Sequence, residues 1–374
     1  MRIFQRNKDS FGFFQPSSDS IYFNIVLFDY VLKGRSTVNT KRKIQPKTIV
    51  IVLAVILLLL CAALAFAGNF LFDFALNPNA SFTMNDLFQG GDVEGIGDGP
   101  VIQLTPARQA WQEYTAGAYT WFAADGQSVE MEQRFPEEIT WLHASCFHQE
   151  GHKYAILFHG YTGASWQMAP HAKMFYDMGY SVLTPDARAH GESEGDYIGM
   201  GWLERPDVLG WINSITGTDP EAEIVLLGVS MGGATVMMAA GEDLPDNVKC
   251  IVEDCGYSSV WDEFRLQLKN VFGLPAFPLL NAASLASKIR AGYSFQEASS
   301  VKQLQKATVP MLFIHGDADT FVPFSMLDVV YEACASEEKE KLVVHDAAHG
   351  AAADTDPELY WDTVTAFVGK YVSE

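Results

Sequence analysis

The segment that most constrains this chain spans residues 223–233 and reads Glu-Ile-Val-Leu-Leu-Gly-Val-Ser-Met-Gly-Gly. An apolar run typical of a buried strand leads into a Gly-x-Ser-x-Gly sequence at Gly228, Ser230 and Gly232, and a predicted helix with three alanines follows at 234–240. Glycines on both sides of the serine let the backbone pass close to it in a sharp turn. The pattern predicts a strand–turn–helix elbow that presents the Ser230 hydroxyl as a nucleophile. The alternative is a structural turn, which the flanking strand and helix make less favoured.

Strand and helix patterns alternate from residue 128 onward. Alternation of this kind predicts an α/β fold with a mostly parallel sheet and helices on both faces. Because no helix separates the first two strands, they should form an antiparallel edge. The predicted strands are 128–134, 139–147, 154–159, 180–185, 223–229, 249–254, 309–315 and 341–345, and the predicted helices are 166–178, 202–215, 231–241, 323–335 and 357–371.

A serine nucleophile needs a base, and the base needs an acid to orient it. In a parallel sheet these groups should lie in loops beyond the carboxyl ends of strands. The loop after strand 309–315 holds two aspartates, Asp317 and Asp319. Asp317 follows the strand directly and is predicted to shape the turn, so Asp319 is the predicted acid. Asp254, after an earlier strand, is the remaining candidate.

The predicted base is His349, which lies in the loop after the last strand. Small residues flank it and would let its ring approach the serine, whereas His345 at the strand end is predicted to be structural. The developing oxyanion would need two N–H donors, predicted to be the backbone amides of Met231 and Tyr161. His159, which precedes the Tyr161 loop, is predicted to brace that loop.

These motifs together resemble the alpha/beta-hydrolase superfamily over about 128–371. The chain order of serine, aspartate and histidine is the order that this superfamily uses. The resemblance implies an eight-stranded sheet, a cap after strand six at about 256–305, and no metal or organic cofactor. Within the superfamily the chain looks like bacterial membrane-anchored serine hydrolases of esterase or lysophospholipase type. It departs from their pattern at Ala189, where glycine is usual. The segments that carry the resemblance are 159–163, 186–193, 228–233, the Asp319 loop and His349.

The N-terminal part differs from the rest in charge and hydropathy. Residues 1–67 carry a net charge of +6 and residues 68–374 a net charge of −27, and the uncharged apolar run 49–67 is about long enough to cross a bilayer. Basic residues precede this run and acidic ones follow it, which predicts a cytoplasmic N-terminus and an extracytoplasmic body. The alternative is secretion after signal cleavage near Ala67. The acidic body argues against nucleic acid as a partner.

We therefore expect four parts: a basic cytoplasmic tail at 1–47, a transmembrane anchor at 48–67, a stalk or linker at 68–118, and a catalytic domain at 119–374. The linker includes a glycine-rich acidic stretch at 89–100. Five cysteines show no metal-binding spacing and no disulfide framework, although a disulfide between two of the last four stays open.

The predicted activity is hydrolysis of small-molecule or lipid-like carboxylic esters through an acyl-enzyme. A serine peptidase or amidase using the same machinery is the alternative. A membrane-tethered binding protein without activity is a third possibility, and it would be expected to lack a member of the triad.

Overall fold

The computed structural model describes residues 45–90, 104–134 and 139–373 of the 374-residue chain. The predicted cytoplasmic tail therefore lies almost wholly outside the described residues. So does most of the glycine-rich stretch of the predicted linker.

Strands form where the sequence shows short apolar runs. They are β1 (Gln127–Arg134), β2 (Ile139–Phe147), β3 (Lys153–Phe158), β4 (Ser181–Pro185), β5 (Glu223–Val229), β6 (Val248–Asp254), β7 (Met311–Gly316) and β8 (Lys339–Val344).

Within the described residues, these eight strands make one sheet in the order β1-β2-β4-β3-β5-β6-β7-β8. The β1–β2 and β2–β4 pairs are antiparallel, and every other pair is parallel. The predicted mostly parallel sheet with an antiparallel edge is confirmed.

Helices cover both faces of this sheet, and further helices come before it in the chain and between β6 and β7. They are α1 (Pro46–Leu76), α2 (Met84–Gly90), α3 (Pro106–Asp125), α4 (Ala169–Asp177), α5 (Arg205–Thr218), α6 (Met231–Ala239), α7 (Val260–Phe272), α8 (Ala276–Arg290), α9 (Ser300–Leu304), α10 (Ser325–Ala333), α11 (Ala352–Thr355) and α12 (Pro357–Val368).

Strand β5 shows why helices are needed on both sides. Its side chains point alternately to the two faces, and both sets are apolar. Val225 and Leu227 pack in the core beneath α3, α4 and α12. Ile224 and Leu226 pack in a second core, beneath α5, α6 and α10. Burial on both faces fixes the position of β5 and therefore of the elbow at its end.

The start of the hydrolase fold differs from the predicted boundary at residue 119. Helix α3 begins at Pro106 and is part of the packed fold rather than of a linker. Its Trp111 is buried and donates an indole N–H to Asp354 at 2.6 Å, and Phe122 is buried in the same core. These apolar side chains lie on one face of α3, so the helix is held by the sheet that it covers.

Helices α7, α8 and α9 lie between β6 and β7, where the cap is predicted. Helix α7 begins after Ser259, whose hydroxyl accepts a hydrogen bond from Asp262 N–H, and ends at Gly273, which has a φ of 65°. Phe264 of α7 and Leu280 of α8 are buried in one cluster with Met231. The cap therefore packs at the edge of the sheet that carries the elbow.

Helix α1 is longer than the predicted anchor. Among the described residues it is the one helix that is long and apolar enough to cross a membrane, and its large side chains from Ile49 to Leu60 are exposed. The pattern changes at Gly68, where an added Cβ would lie 2.6 Å from the carbonyl carbon of Ala282 in α8. Phe72 is then fully buried. Residues 68–76 are therefore helical and packed, which differs from the predicted linker.

Candidate active site

The turn between β5 and α6 has the backbone that a nucleophile elbow needs. Ser230 has a φ of 58° and a ψ of −114°, a conformation that non-glycine residues rarely adopt. Its N–H donates to the carbonyl oxygen of Asp254 at 2.8 Å. A Cβ at Gly228 would lie 2.1 Å from the Gly232 oxygen, and a Cβ at Gly232 would lie 2.0 Å from the Phe158 oxygen. Both positions therefore require glycine, and the turn holds Ser230 in its strained conformation.

The three side chains predicted to form a triad lie in one hydrogen-bonded line. Ser230 Oγ is 2.7 Å from His349 Nε2, and His349 Nδ1 is 2.7 Å from Asp319 Oδ2. Because a carboxylate can only accept, Nδ1 carries the proton, which leaves Nε2 free to accept from the serine hydroxyl. The imidazole is about one-tenth exposed and the carboxylate is fully buried. The geometry is that of a serine activated by an oriented base.

The loop after β7 holds the Asp319 carboxylate in place. Its Oδ1 accepts hydrogen bonds from the N–H groups of Phe321 and Val322 at 2.9 and 3.0 Å. Burial alone would raise the pKa of Asp319, but hydrogen bonds from His315 and His349 outweigh it and hold the pKa below its ordinary value. Asp319 therefore faces His349 as an anion at neutral pH.

His315, at the end of β7, is a residue of the site that the sequence patterns do not predict. Its Nε2 lies 2.9 Å from the Val322 oxygen and 3.3 Å from Asp319 Oδ2. Burial works to lower the pKa of His315, but the hydrogen bond to Asp319 and the Asp319 charge, with the Val322 carbonyl and Glu253, together outweigh it and raise the pKa above its ordinary value. The sequence offers one clue, the spacing of four residues between a histidine at a strand end and an aspartate in the following loop.

The other candidate acids and bases lie elsewhere. Asp317 pairs with His345 through an Oδ2–Nδ1 distance of 2.6 Å and accepts the N–H of Asp346, so both shape the turn at the surface. Asp254 is buried next to the elbow, and burial raises its pKa to about 6. His349 Nδ1 lies 2.7 Å from Asp319 Oδ2, so Asp319 and not Asp254 occupies the position of the predicted acid.

The loop after β3 runs beside the nucleophile. An added Cβ at Gly160 would lie 3.8 Å from Ser230 Oγ, which puts the neighbouring Tyr161 next to the reacting atoms. His159 is buried, with its Nδ1 2.7 Å from the Gly160 oxygen and its Nε2 accepting from Ala187 N–H. The His159 imidazole therefore connects the loop after β3 with the loop after β4. At the start of α6, Met231 is fully buried directly after the serine.

The loop after β4 explains why glycine is usual at position 189. Ala189 has a φ of 61°, in the left-handed region that favours glycine. The next residue, His190, accepts a hydrogen bond from Thr162 N–H and therefore braces the loop after β3. Alanine keeps the turn at a small cost in backbone strain.

A pocket beside Ser230, here called the serine pocket, is bounded mainly by apolar and aromatic side chains. Among the described residues that line this pocket, Glu263 is the one with a carboxyl group. This group accepts a hydrogen bond from the side-chain amide of Gln267 at 2.7 Å. Burial raises the pKa of Glu263 to about 8, so it is mainly uncharged at neutral pH. The apolar wall consists of Met84, Met200, Tyr257, Phe264, Phe321 and Val322.

One group of side chains near the triad has donor atoms close enough to hold a metal ion. Atoms of Cys255, Asp319 and His349 all lie within 4.8 Å of one another. Asp319 and His349 already bind each other, and burial raises the pKa of the Cys255 thiol well above its ordinary value. A protonated thiol is a poor metal ligand, so these residues do not suit a cation. All five cysteines lie in the described part of the chain and are free thiols.

Comparison with known proteins supports the same interpretation of the fold. A family model described as serine aminopeptidase, S33, matches residues 149–273, and one described as serine hydrolase (FSH1) matches residues 226–352. The esterase Pf2001 of Pyrococcus furiosus superposes with a TM-score of 0.54 at 23% identity, over 72% of this chain and 97% of that one.

Several relatives match over more than half of the chain. Protein YqkD of Bacillus subtilis is 28% identical over 57% of this chain and 70% of its own length. A thermostable monoacylglycerol lipase of a Bacillus species is 24% identical over 58% of this chain and 90% of its own length. The sheet, the serine elbow and these matches identify the chain as a serine hydrolase of the alpha/beta-hydrolase superfamily.

Proposed function

We propose that this protein hydrolyses carboxylic esters through an acyl-enzyme, with Ser230 as nucleophile, His349 as general base and Asp319 as its orienting acid. The observation that carries the proposal is the hydrogen-bonded line from Ser230 through His349 to Asp319, with 2.7 Å at each step. Esterase and lipase relatives support ester substrates.

In the proposed reaction, His349 accepts and donates each proton that is transferred. His349 Nε2 takes the Ser230 proton as Oγ bonds to the ester carbonyl carbon, and the carbonyl electron pair moves to its oxygen. The imidazolium then gives that proton to the alcohol as the C–O bond breaks. Water repeats the sequence and releases the carboxylic acid. Asp319 keeps the imidazole in one tautomer and stabilises its charged form.

The negative oxygen of the tetrahedral intermediate needs donors, and we assign this role to the backbone N–H groups of Tyr161 and Met231. Met231 begins α6, so its amide lies at the positive end of a helix. The closeness of Gly160 to Ser230 supports the assignment of Tyr161. Loss of one such donor typically costs about 3–4 kcal/mol of transition-state stabilisation.

A peptidase is the second candidate, because one matching family model is described as a serine aminopeptidase. An aminopeptidase has to bind the positively charged amino terminus of its substrate, for which a carboxylate is the natural partner. In the serine pocket the Glu263 carboxyl is mainly protonated below its pKa of about 8. An apolar pocket with a neutral carboxyl suits the acyl chain of an ester better.

The proposal also places the protein at the cell membrane, with α1 as a retained anchor, the N-terminus in the cytoplasm and the catalytic domain outside. Lys41, Arg42, Lys43 and Lys47 precede the apolar run, as the positive-inside rule requires. The alternative is secretion after cleavage near Ala67. The apolar run 49–67 is longer than the apolar region of a usual signal peptide, which supports a retained anchor.

Topology is tested by fusing alkaline phosphatase, which is active only outside the cytoplasm, to the C-terminus. We expect phosphatase activity in the membrane fraction. Activity in the medium would indicate a cleaved signal, and a fusion that is made but inactive would contradict the proposed orientation.

Activity is tested with Ser230→Ala in a panel of p-nitrophenyl esters and peptide p-nitroanilides. The wild type should cleave esters faster than anilides, and the variant should lose ester cleavage. Ser300→Ala is a matched control, because the Ser300 hydroxyl is buried and has no partner among the described residues. Preference for anilides would favour the peptidase, and full turnover by Ser230→Ala would refute the mechanism.

A further inference from the structure

The end of α1 and the start of α2 lie against the catalytic machinery, although both precede the segment that resembles a hydrolase. The hydroxyl of Tyr161 donates to the Ala75 carbonyl oxygen at 2.6 Å, and Ile198 N–H donates to the Leu76 oxygen at 2.9 Å. Tyr161 also lines the serine pocket. The last carbonyls of α1 therefore hold a residue whose amide we assign to the oxyanion site.

The same end of α1 is fixed to the cap. Arg290 of α8 forms an ion pair with Asp73 at 2.7 Å, and its guanidinium carbon lies 4.3 Å from the ring centroid of Phe72. Gly68 permits α1 to touch α8, since any Cβ there would meet the backbone of Ala282. Charge pairing, cation–π contact and close helix packing together fix this segment relative to Ser230.

An apolar cavity lies between the end of α1 and the cap. It has an empty volume of about 400 Å³, part of it open to solvent. Leu71, Phe74 and Ala75 of α1 line one wall, Met84 of α2 lies beside them, and cap residues form the opposite wall. Among the described residues that line the cavity, Gln267 is the one with a polar side chain.

This cavity adjoins the serine pocket, because Met84, Phe264 and Gln267 line both. A linear group bound at Ser230 would therefore meet apolar walls first in the serine pocket and then in the cavity. The serine pocket has an empty volume of about 330 Å³.

We propose that residues 71–84 form one wall of the acyl-binding site, and that the cavity takes the distal part of a medium- or long-chain fatty acyl group. This inference rests on the proposed ester hydrolysis. The occupant is an acyl chain because the walls are apolar and lead to the nucleophile. Each methylene buried there should raise kcat/KM about fourfold, until the cavity is filled. The juxtamembrane segment then determines acyl specificity.

The test uses the full chain in lipid nanodiscs and two substrates, p-nitrophenyl acetate and p-nitrophenyl octanoate. Leu71→Trp adds bulk in the cavity and should lower the octanoate-to-acetate ratio of kcat/KM by at least tenfold. Phe66→Trp is the matched control, because Phe66 is on the same helix but is 76% exposed and does not line the cavity. Its ratio should stay within twofold of the wild type. An unchanged ratio in Leu71→Trp would overturn the proposal.

A second variant and a second readout guard against misfolding and against failure of the ester assignment. Met84→Trp obstructs the same cavity from α2 and should lower the ratio in the same direction. Labelling rates of Ser230 with a methyl and a dodecyl fluorophosphonate report pocket length without ester turnover, and both variants should slow the dodecyl probe selectively. Selective slowing without ester cleavage by the wild type would overturn the ester function and keep the acyl wall. Ester cleavage by the wild type, together with equal slowing of both probes in the variants, would keep the ester function and overturn the acyl wall.

Discussion

His315 Nε2 lies 3.3 Å from Asp319 Oδ2, the same carboxylate oxygen that approaches His349 Nδ1. Two imidazoles thus share one oxygen, while the other oxygen accepts two backbone N–H groups. These contacts more than offset the burial of the charge and hold the pKa of Asp319 below its ordinary value. The Asp319 carboxylate is therefore kept ionised by His349 and by neighbours on its own loop and strand.

The role of Asp319 predicts a large loss in Asp319→Asn. An asparagine amide can donate to His349 Nδ1 and so favour the wrong tautomer, and we expect kcat to fall by about 10³–10⁴-fold with little change in stability. Steady-state ester hydrolysis measures the loss, and thermal unfolding checks the fold.

Asp254→Asn is the control for that experiment. Asp254 is buried next to the elbow, whereas His349 Nδ1 bonds to Asp319, and asparagine replaces the Asp254 side chain at similar size. We expect kcat within about threefold of the wild type, since the hydrogen bond from Ser230 N–H goes to the backbone oxygen of Asp254, which the substitution keeps. A loss in Asp254→Asn as large as that in Asp319→Asn would contradict the assignment of the acid.

Alanine is expected to have opposite effects at Gly232, which lies in the elbow, and at Gly117, which lies in α3. Gly232→Ala would place a Cβ 2.0 Å from the Phe158 carbonyl oxygen, a backbone atom that cannot rotate away. We expect destabilisation of about 3 kcal/mol or more. Gly117→Ala in α3 meets nothing within 4 Å and should stabilise by about 0.5–1 kcal/mol. Urea unfolding monitored by circular dichroism compares them, and equal stability of the two variants would contradict the packing described for the elbow.

Buried carboxyl groups predict how stability depends on pH. Burial raises the pKa of Glu253 to about 8 and that of Glu204 to about 7. The folded protein therefore holds protons that the unfolded chain releases above about pH 4.5. Stability should fall as pH rises from about 4.5 to 8, by up to about 1.4 kcal/mol per pH unit for each such group.

Glu253→Gln removes one of these groups, so its free energy of unfolding should decline less steeply over the same range. Urea unfolding at pH 5, 6, 7 and 8 gives both slopes. Parallel curves for the variant and the wild type would show that Glu253 is already ionised in the folded protein.

Local patterns were sufficient to predict the sheet and the three residues of the proposed triad. The glycines at 228 and 232 have their effect within one turn, and strand ends determine which loops meet Ser230. The roles of Asp317 and His345 at the surface also follow from their places directly beside strands. In each case the physical cause lies within a few residues of the motif.

Features that depend on distant segments could not be predicted in this way. The docking of residues 68–76 depends on contact between Gly68 and Ala282, which lie far apart in the chain. Helix α3 was expected in a linker because the partner of Trp111, Asp354, lies near the other end of the sequence. The contact of His315 with Asp319 requires the loop after β7 to fold back onto the strand.

The most direct test of the account is peptide mapping of the full-length protein after reaction with a fluorophosphonate. We predict one adduct on the peptide that contains Ser230, formed rapidly in the wild type and slowed by several orders of magnitude in His349→Ala. An adduct on another residue, or equal labelling with and without the imidazole, would contradict the claim that His349 activates Ser230.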